Sequence, residues 1–534
     1  MTFPPGHTPD DPEKTVWDVV VIGAGAGGAT AGLAAARLGR SVLFLERGKR
    51  LDRDESVVKG RPYGWLGGPD EALRYGFWPQ PLFRRDGESE APEYQAFGCG
   101  SGGTTAIFGM VMDRLRPQDF TPRQFFSDAA SSTIPEAWPL TYEEFAPYYT
   151  QAEQLFRVHG TPDPLAPTSA PLLDAPWPSE KERAVLDALT ACGLHPYRIH
   201  YAQDRAPDCS GCPGMLCARR CRNDAGRMCL EPAIESHGAA MLAGCRVLRL
   251  EADRRTATRA LCEWNGRQVA IRGRVFVLAA NALFTPAILL RSASREHPNG
   301  LGNSSGLVGR NLMLHVSDFL LLRMKRKSIG VDPVMMHGIS LNDFYVRDGT
   351  KLGNVHAHST PIAREATQAF LQMHKRWINY LPERVRGAIA SFGSYLHRGS
   401  TIFSTVVEDL PYAENRVVPR AGSDDQVTYE YAYPNELRAR NWKLFRAFSA
   451  AVAPSFAVQP LRPIGMLNYG HACGTCRFGD DPAASVLDRD NRAHDLDNLY
   501  IVDASFFPSS GGINPSLTIA ANALRVGAII ARRL

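Results

Sequence analysis

The sequence predicts an α/β chain: a Rossmann-type dinucleotide-binding domain, discontinuous along the chain, joined to an α+β domain built on an antiparallel sheet. Three observations predict it. A strand, a glycine-rich loop, a helix and a second strand follow one another between residues 17 and 46. The same apolar style returns at residues 499–502 (LYIV) and 516–534. Between about residues 325 and 465 the pattern changes to runs that alternate polar and apolar positions.

Residues 17–22 (WDVVVI) form a short β-branched run of the kind buried in a parallel sheet. GAGAGG follows at once, then an alanine-rich helix over 29–38 that Gly39 stops, then a strand over 41–45 that ends at Glu46. Gly23, Gly25 and Gly28 make G-x-G-x-x-G. The first glycine permits a tight turn, the second lets the backbone approach a pyrophosphate, and the third lets helix and strand pack closely. The helix start offers N–H groups to phosphates. A carboxylate at Glu46 accepts hydrogen bonds from ribose hydroxyls and would repel an extra phosphate there.

Residues 56–93, rich in Gly, Pro and aromatics, read as irregular. A second glycine cluster, GCGSGGTT, spans 98–105, and a helix over 141–158 opens with the capping box Thr141 and Glu144. Residues 162–178 read as a proline-rich connection, and 245–251 and 274–279 as strands. Residues 401–407 and 426–433 read as strands of the antiparallel sheet. The resulting division gives the dinucleotide domain residues 1–140, 231–324 and 466–534, with a cap segment at 141–230 and a substrate domain at 325–465.

Composition excludes several classes. The 534 residues are 44% apolar and 22% charged, and the formal charge is +5 with basic residues scattered, which argues against nucleic-acid binding. No apolar run approaches ~18 residues, and residues 1–17 lack the signature of a signal peptide. The expected location is the cytoplasm, with export on a partner's signal as the alternative.

His471 lies in GHACGTCRFG and Asn514 in GGINPSLTIAANALRVG, with NLYIVDASFFPSS between them. Together with the N-terminal loop, the 98–105 cluster and GRNLMLH at 309–315, they make nearly the whole chain resemble the glucose–methanol–choline oxidoreductase family. The resemblance implies non-covalent FAD, because GGTTAIFGMVM lacks the histidine that binds flavin covalently in some members. It implies that His471 is the catalytic base and Asn514 the second active-site residue. A histidine can take the hydroxyl proton as hydride leaves the carbon, and a neutral asparagine can orient the oxygen. By the same resemblance Gly102, Gly103 and Thr104 lie beside the flavin and Val247 meets the adenine. Asp503 and Ala504 touch pyrophosphate and flavin, and Pro515 follows the catalytic asparagine. Asn281 stands where the family has glycine, and asparagine tolerates positive φ.

The implied reaction is oxidation of a CH–OH group of a sugar or other alcohol. The alternatives are an oxygen-using oxidase, a flavin-retaining lyase and an electron-transfer subunit. Cys209, Cys212, Cys217 and Cys221, with Cys229 beyond, leave three readings open: an iron–sulfur cluster passing electrons to a protein or quinone, a structural zinc, or no metal. Cys473 and Cys476 read as small residues packed under the flavin, or as a redox pair. Residues 366–385 place Phe370, Met373, Trp377, Ile378 and Leu381 at helical spacing beside Lys375, Arg376, Arg384 and Arg386, with Pro382 as a breaker. This is a lid or core helix, or a face for peripheral membrane contact or partner docking.

Overall fold

The computed structural model describes residues 8–9, 11–51, 68–107, 109–127, 129–166, 171–204, 214–325, 338–357, 364–374, 376–461 and 464–534. The apolar run at the start becomes the strand Val16–Ile22, flanked in parallel by Val42–Glu46 on one side and Arg267–Leu278 on the other. Being central explains its lack of alternation, since both its faces are covered. Ala240–Ala243 extends this sheet beyond Val42–Glu46, and Leu499–Ile501 pairs in parallel with Arg267–Leu278. The last strand thus closes the sheet that the first one began, as a discontinuous domain requires. A feature absent from the sequence reading is the antiparallel excursion Arg246–Ala252, Ala257–Trp264, Arg267–Leu278 at one edge.

Two helices cover one another beside this sheet. Ala26–Arg37 begins directly at the glycine loop, and Ser516–Arg533 packs against it. The approach is close: a methyl on Gly527 would fall 2.6 Å from the Ala31 carbonyl oxygen. The helix expected over 141–158 is Tyr142–Leu155, and its capping box is formed: Thr141 N–H donates to Glu144 and Glu144 N–H to the Thr141 hydroxyl.

The second large sheet is antiparallel throughout. Its strands run Phe456–Pro460, Phe319–Met324, Thr401–Val407, Gly353–Ala357, Ile339–Leu341 and Tyr197–Arg198, with Met313–Val316 and Leu467–Cys473 attached. Leu320, Leu322 and Phe403 point to one face, into a core with Leu444 and Phe448 of the helix Asn435–Val452. The other face is turned to the active-site cavity. The strands Met313–Val316 and Phe319–Met324 belong to this sheet, so it starts earlier in the chain than the boundary at 325.

Two sequence expectations need correction. Residues 68–93 are not irregular: they contain the helix Pro69–Arg74 and the hairpin Leu82–Asp86/Ser89–Glu93. Val427–Glu430 does not join the large antiparallel sheet. It pairs in parallel with Leu82–Asp86 and antiparallel with Arg416–Pro419, giving a separate four-stranded sheet. One face buries Leu82, Val417, Val427 and Tyr429 in the main core, while charged pairs tie the strands laterally: Arg85 to Glu430 at 3.1 Å, Arg420 to Glu90 at 2.9 Å and Arg416 to Glu430 at 2.8 Å. Within the hairpin only Leu82 is buried, so these two strands show no hydrophobic period to read.

Candidate active site

One cavity of about 680 Å³ runs from the end of the second strand, past both glycine clusters, to the inner face of the antiparallel sheet. Gly23, Gly25, Glu46, Gly103, Thr104, Val247, Asp503, Ala504, Pro515, His471 and Asn514 all line it. Residues far apart in sequence are therefore brought to one site.

At the nucleotide end, Gly23 adopts φ +100°, and a Cβ there would lie 2.4 Å from the Ala279 carbonyl oxygen, so no side chain fits the turn. Gly28 does not face the cavity. It packs the helix on the loop, and a Cβ would meet the Gly23 carbonyl oxygen at 2.0 Å. Gly102 is likewise a backbone device, at φ +87° against Asp224 and Gly226. The Glu46 carboxylate accepts from Ala24 N–H at 2.8 Å, Gly48 N–H at 2.7 Å and Gly100 N–H at 3.1 Å. A carboxylate has about four acceptor positions, so capacity is left for a ribose hydroxyl. Trp78 Nε1 and Arg291 Nε, which belong to side chains lining this end, are buried with no hydrogen-bond partner among the described residues. Buried donors of this kind fit a polar ligand that supplies their acceptors.

Asp503 also lines the cavity, but its carboxylate is committed elsewhere. It caps the turn at Ser505 (N–H at 2.9 Å) and accepts from the Thr285 hydroxyl at 2.5 Å. Burial raises its pKa, so the charge is softened where phosphates would pass. Asn281 has φ +82°, as expected of an asparagine in a glycine position, and its side chain accepts from Leu283 N–H at 3.0 Å.

At the other end stand His471, on the strand Leu467–Cys473, and Asn514, just before the helix Ser516–Arg533. Asn514 Nδ2 is 3.4 Å from His471 Nε2. On the far side of the ring, His471 Nδ1 is 2.9 Å from His315 Nδ1, the two rings standing perpendicular. His315 Nε2 is 2.8 Å from the Gly511 carbonyl oxygen.

These contacts fix the protons. A carbonyl only accepts, so His315 carries hydrogen on Nε2. Burial holds the His315 pKa down to about 4, and the charge of Lys351 pushes the same way, so the ring is neutral and its Nδ1 is a lone pair. The hydrogen in the His315–His471 contact therefore sits on His471 Nδ1. With hydrogen on Nδ1, a neutral His471 ring has its Nε2 lone pair toward Asn514 and the cavity.

The loop that carries Gly511 and Asn514 is tied from below. Gly511 N–H donates to Glu408 at 3.1 Å, Gly512 N–H to the Tyr345 hydroxyl at 3.0 Å, and Asn354 N–H to the Gly512 carbonyl at 3.0 Å. Tyr345 donates to Asp119, and Lys351 bridges Asp119 and Glu408, all three of these ionic side chains being fully buried. Burial alone would lower the Lys351 pKa, but the two carboxylates raise it overall, so the centre is a closed ionic triad. Sequence reasoning quoted His315 only as part of GRNLMLH and missed Asp119, Lys351 and Glu408. No local pattern marks residues that are paired only by the fold.

The cysteines divide. Cys217 and Cys221 lie together, with Cys221 N–H donating to the Cys217 sulfur at 3.2 Å, whereas Cys209 and Cys212 lie outside the described residues. Cys229 stands apart, 3.4 Å from the Thr30 hydroxyl, its thiol pushed up to about 12 by burial. Among the described residues no group of three or more His, Cys, Asp or Glu is placed to hold a metal ion. Cys473 and Cys476 are fully buried thiols with pKa values pushed well up by burial, which suits packing and not thiolate redox chemistry.

Comparison with known proteins agrees with this geometry. Residues 19–317 and 458–523 match the N- and C-terminal GMC oxidoreductase family models. The chain is 31% identical to 6'''-hydroxyparomomycin C oxidase of Streptomyces lividus, covering 97% of this chain and 92% of that protein. It is 28% identical to 2-methyl-1,2-propanediol dehydrogenase of Mycolicibacterium austroafricanum, covering 97% and 95%. The fold is similar to the crystal structure of a pyridoxine 4-oxidase from Mesorbium loti, with a TM-score of 0.65 at 20% identity over 96% of this chain and 99% of that one.

Proposed function

This chain belongs to the GMC (glucose–methanol–choline) oxidoreductase family, and on that premise we propose that it is an FAD-dependent enzyme oxidising the CH–OH group of a neutral alcohol with a largely apolar body. The observation that carries the chemistry is His471, its Nδ1 held by His315 and its Nε2 beside Asn514, in a cavity continuous with a dinucleotide cradle. Relatives named for a hydroxylated and a diol substrate support oxidation of a CH–OH group.

FAD supplies the acceptor for the hydride when it is bound. Gly23, Gly25, Glu46, Gly103, Thr104, Val247, Asp503 and Ala504 would hold it. The Asn514 amide N–H orients the substrate hydroxyl oxygen, and His471 Nε2 takes the hydroxyl proton. The resulting imidazolium keeps its Nδ1–H directed at the neutral His315 ring, which limits the motion of the charged base. The buried triad beneath Gly511 holds the loop without offering a competing proton acceptor in the cavity.

The lining of the sheet supports the apolar substrate class. Strand alternation puts Phe319, Leu321, Ile402 and Val406 on the cavity face, with Ser404 and His356 as polar points in the next row. Leu461 and Met466 continue the apolar lining. Such a surface favours an alkyl or aryl alcohol over a densely hydroxylated one. The test is anaerobic mixing of the FAD-loaded protein with a graded series of primary alcohols and with hexoses. Bleaching of the flavin band by the apolar alcohols supports the proposal. Bleaching by hexoses alone overturns the substrate class, and no bleaching by any alcohol favours the lyase or electron-transfer alternative.

Reoxidation of the reduced protein in air against a quinone then separates an oxidase from a dehydrogenase. The iron–sulfur reading of Cys209, Cys212, Cys217 and Cys221 is supported by their spacing and by the proximity of the last two. Iron analysis decides it.

A further inference from the structure

The hairpin formed by the helices Arg364–His374 and Glu383–His397 has two different sides. Thr367 and Phe370 from the first helix, and Gly393 and His397 from the second, line the active-site cavity. Ile378 and Ala390 are buried beneath the hairpin, and none of its residues joins the four hydrophobic cores of the described chain. The other side is apolar and open to solvent. Trp377 (58% exposed), Tyr380 (88%), Val385, Phe392 (65%), Tyr395 and Leu396 are six of the thirteen exposed large apolar side chains among the described residues. They fall within one short stretch.

The same stretch is also basic. Residues 364–398 hold six Lys or Arg and two Glu, a net charge of +4, against +5 for all 534 residues. Arg384 and Arg398 are exposed, and Arg398 stacks 4.3 Å above the Tyr395 ring, so charge and aromatic surface share one face. Arg386 donates to the Leu381 carbonyl at 3.0 Å and fixes the corner between the helices.

We propose that this hairpin is a peripheral docking surface for an anionic lipid bilayer. Trp, Tyr and Phe beside Arg match the interface between headgroups and acyl chains, where an aromatic body is apolar and its edge polar. Anionic headgroups complement the +4 charge. A second copy of the chain placed face to face would instead oppose +4 to +4. The contact is peripheral: no helix of the described residues is long and apolar enough to cross a membrane. Because the opposite side of the hairpin lines the cavity, docking sets that wall of the cavity against the bilayer.

The test uses the full chain loaded with FAD and sedimented with phosphatidylglycerol/phosphatidylcholine vesicles or phosphatidylcholine alone. Expected is binding to the anionic vesicles about 10-fold tighter than to neutral ones, weakened about 10-fold by high salt. The quadruple substitution Trp377→Ser, Tyr380→Ser, Phe392→Ser, Leu396→Ser should cost a further 10-fold or so at unchanged melting temperature. If that variant does not fold, Tyr380→Ser alone at its exposed position should still weaken binding measurably. No sedimentation with anionic vesicles at low salt overturns the proposal, as does binding that these substitutions leave intact. Sedimentation velocity showing a dimer that the substitutions dissociate makes a second copy the occupant and also overturns it.

Discussion

His315 and His471 meet through their Nδ1 atoms at 2.9 Å, and this contact determines which nitrogen of His471 can act as a base. His315 is itself fixed by the Gly511 carbonyl and held neutral by burial. The tautomer of the His471 ring is therefore set from the strand Met313–Val316 and from the loop that also carries Asn514.

Replacing the acceptor should separate geometry from packing. In His315→Leu nothing accepts the His471 Nδ1–H, and flavin reduction by substrate should slow about 100-fold or more. In His315→Asn a carbonyl oxygen near the former Nδ1 position can accept it, and the rate should recover to within about 10-fold of wild type. Stopped-flow flavin bleaching measures both. Equal rates in the two variants would contradict the tautomer assignment.

His471→Ala should abolish flavin reduction while FAD remains bound, because the turn at Gly23 and Gly25 and the Glu46 carboxylate are left intact. The check is the flavin spectrum of the purified variant followed by anaerobic mixing with substrate.

Asn514→Asp places a carboxylate 3–4 Å from His471 Nε2, a spacing read from the 3.4 Å amide contact. A neighbouring anion favours the protonated ring. The acid limb of the kcat/KM profile should move to higher pH, with activity at neutral pH reduced. Asn514→Ala should lower kcat without moving that limb.

Two buried groups give stability opposing dependences on pH. His315 has a folded pKa of about 4 against an ordinary 6.5, so below pH 6.5 the unfolded chain takes up a proton that the folded one refuses. Its contribution is lost as pH falls from about 6.5 to 4, by about 3 kcal/mol. Asp409, raised to about 7 by burial, behaves oppositely: the folded chain holds the proton, and stability is lost as pH rises from about 4 to 7. Thermal melting at pH 5 and pH 7 should show a steeper acid loss in Asp409→Asn than in wild type, and a shallower one in His315→Asn.

Asn281→Gly should lose less than Asn281→Ala, about 1 kcal/mol, since glycine accepts φ +82° and forfeits only the hydrogen bond from Leu283 N–H. Asn281→Ala should lose about 1–2 kcal/mol, from the unfavourable backbone region and the lost hydrogen bond to Leu283.

The dinucleotide cradle was legible because its information is local. Strand, loop, helix and acid stand within one stretch, and each glycine answers to a nearby backbone atom. That His471 and Asn514 belong to one site was expected from their flanking motifs, and the structure brings the two side chains together. The proton logic was not, because His315 donates to Gly511, and Lys351 pairs with Asp119 and Glu408, only after the antiparallel sheet has formed. The hairpin at 82–93 escaped for another reason: its strands are joined to their neighbours by arginine and glutamate, so the apolar period that signals a strand is missing.

The interlock of Leu499–Ile501 with Arg267–Leu278, and of Ser516–Arg533 with Ala26–Arg37, has a consequence for the order of events at the ribosome. The first strand emerges early but waits for the last stretch of chain before its sheet is closed. The cradle and the base arrive in final form together. A partly synthesised chain has neither a finished seat for the cofactor nor a base to use it, so a half-made enzyme is a silent one.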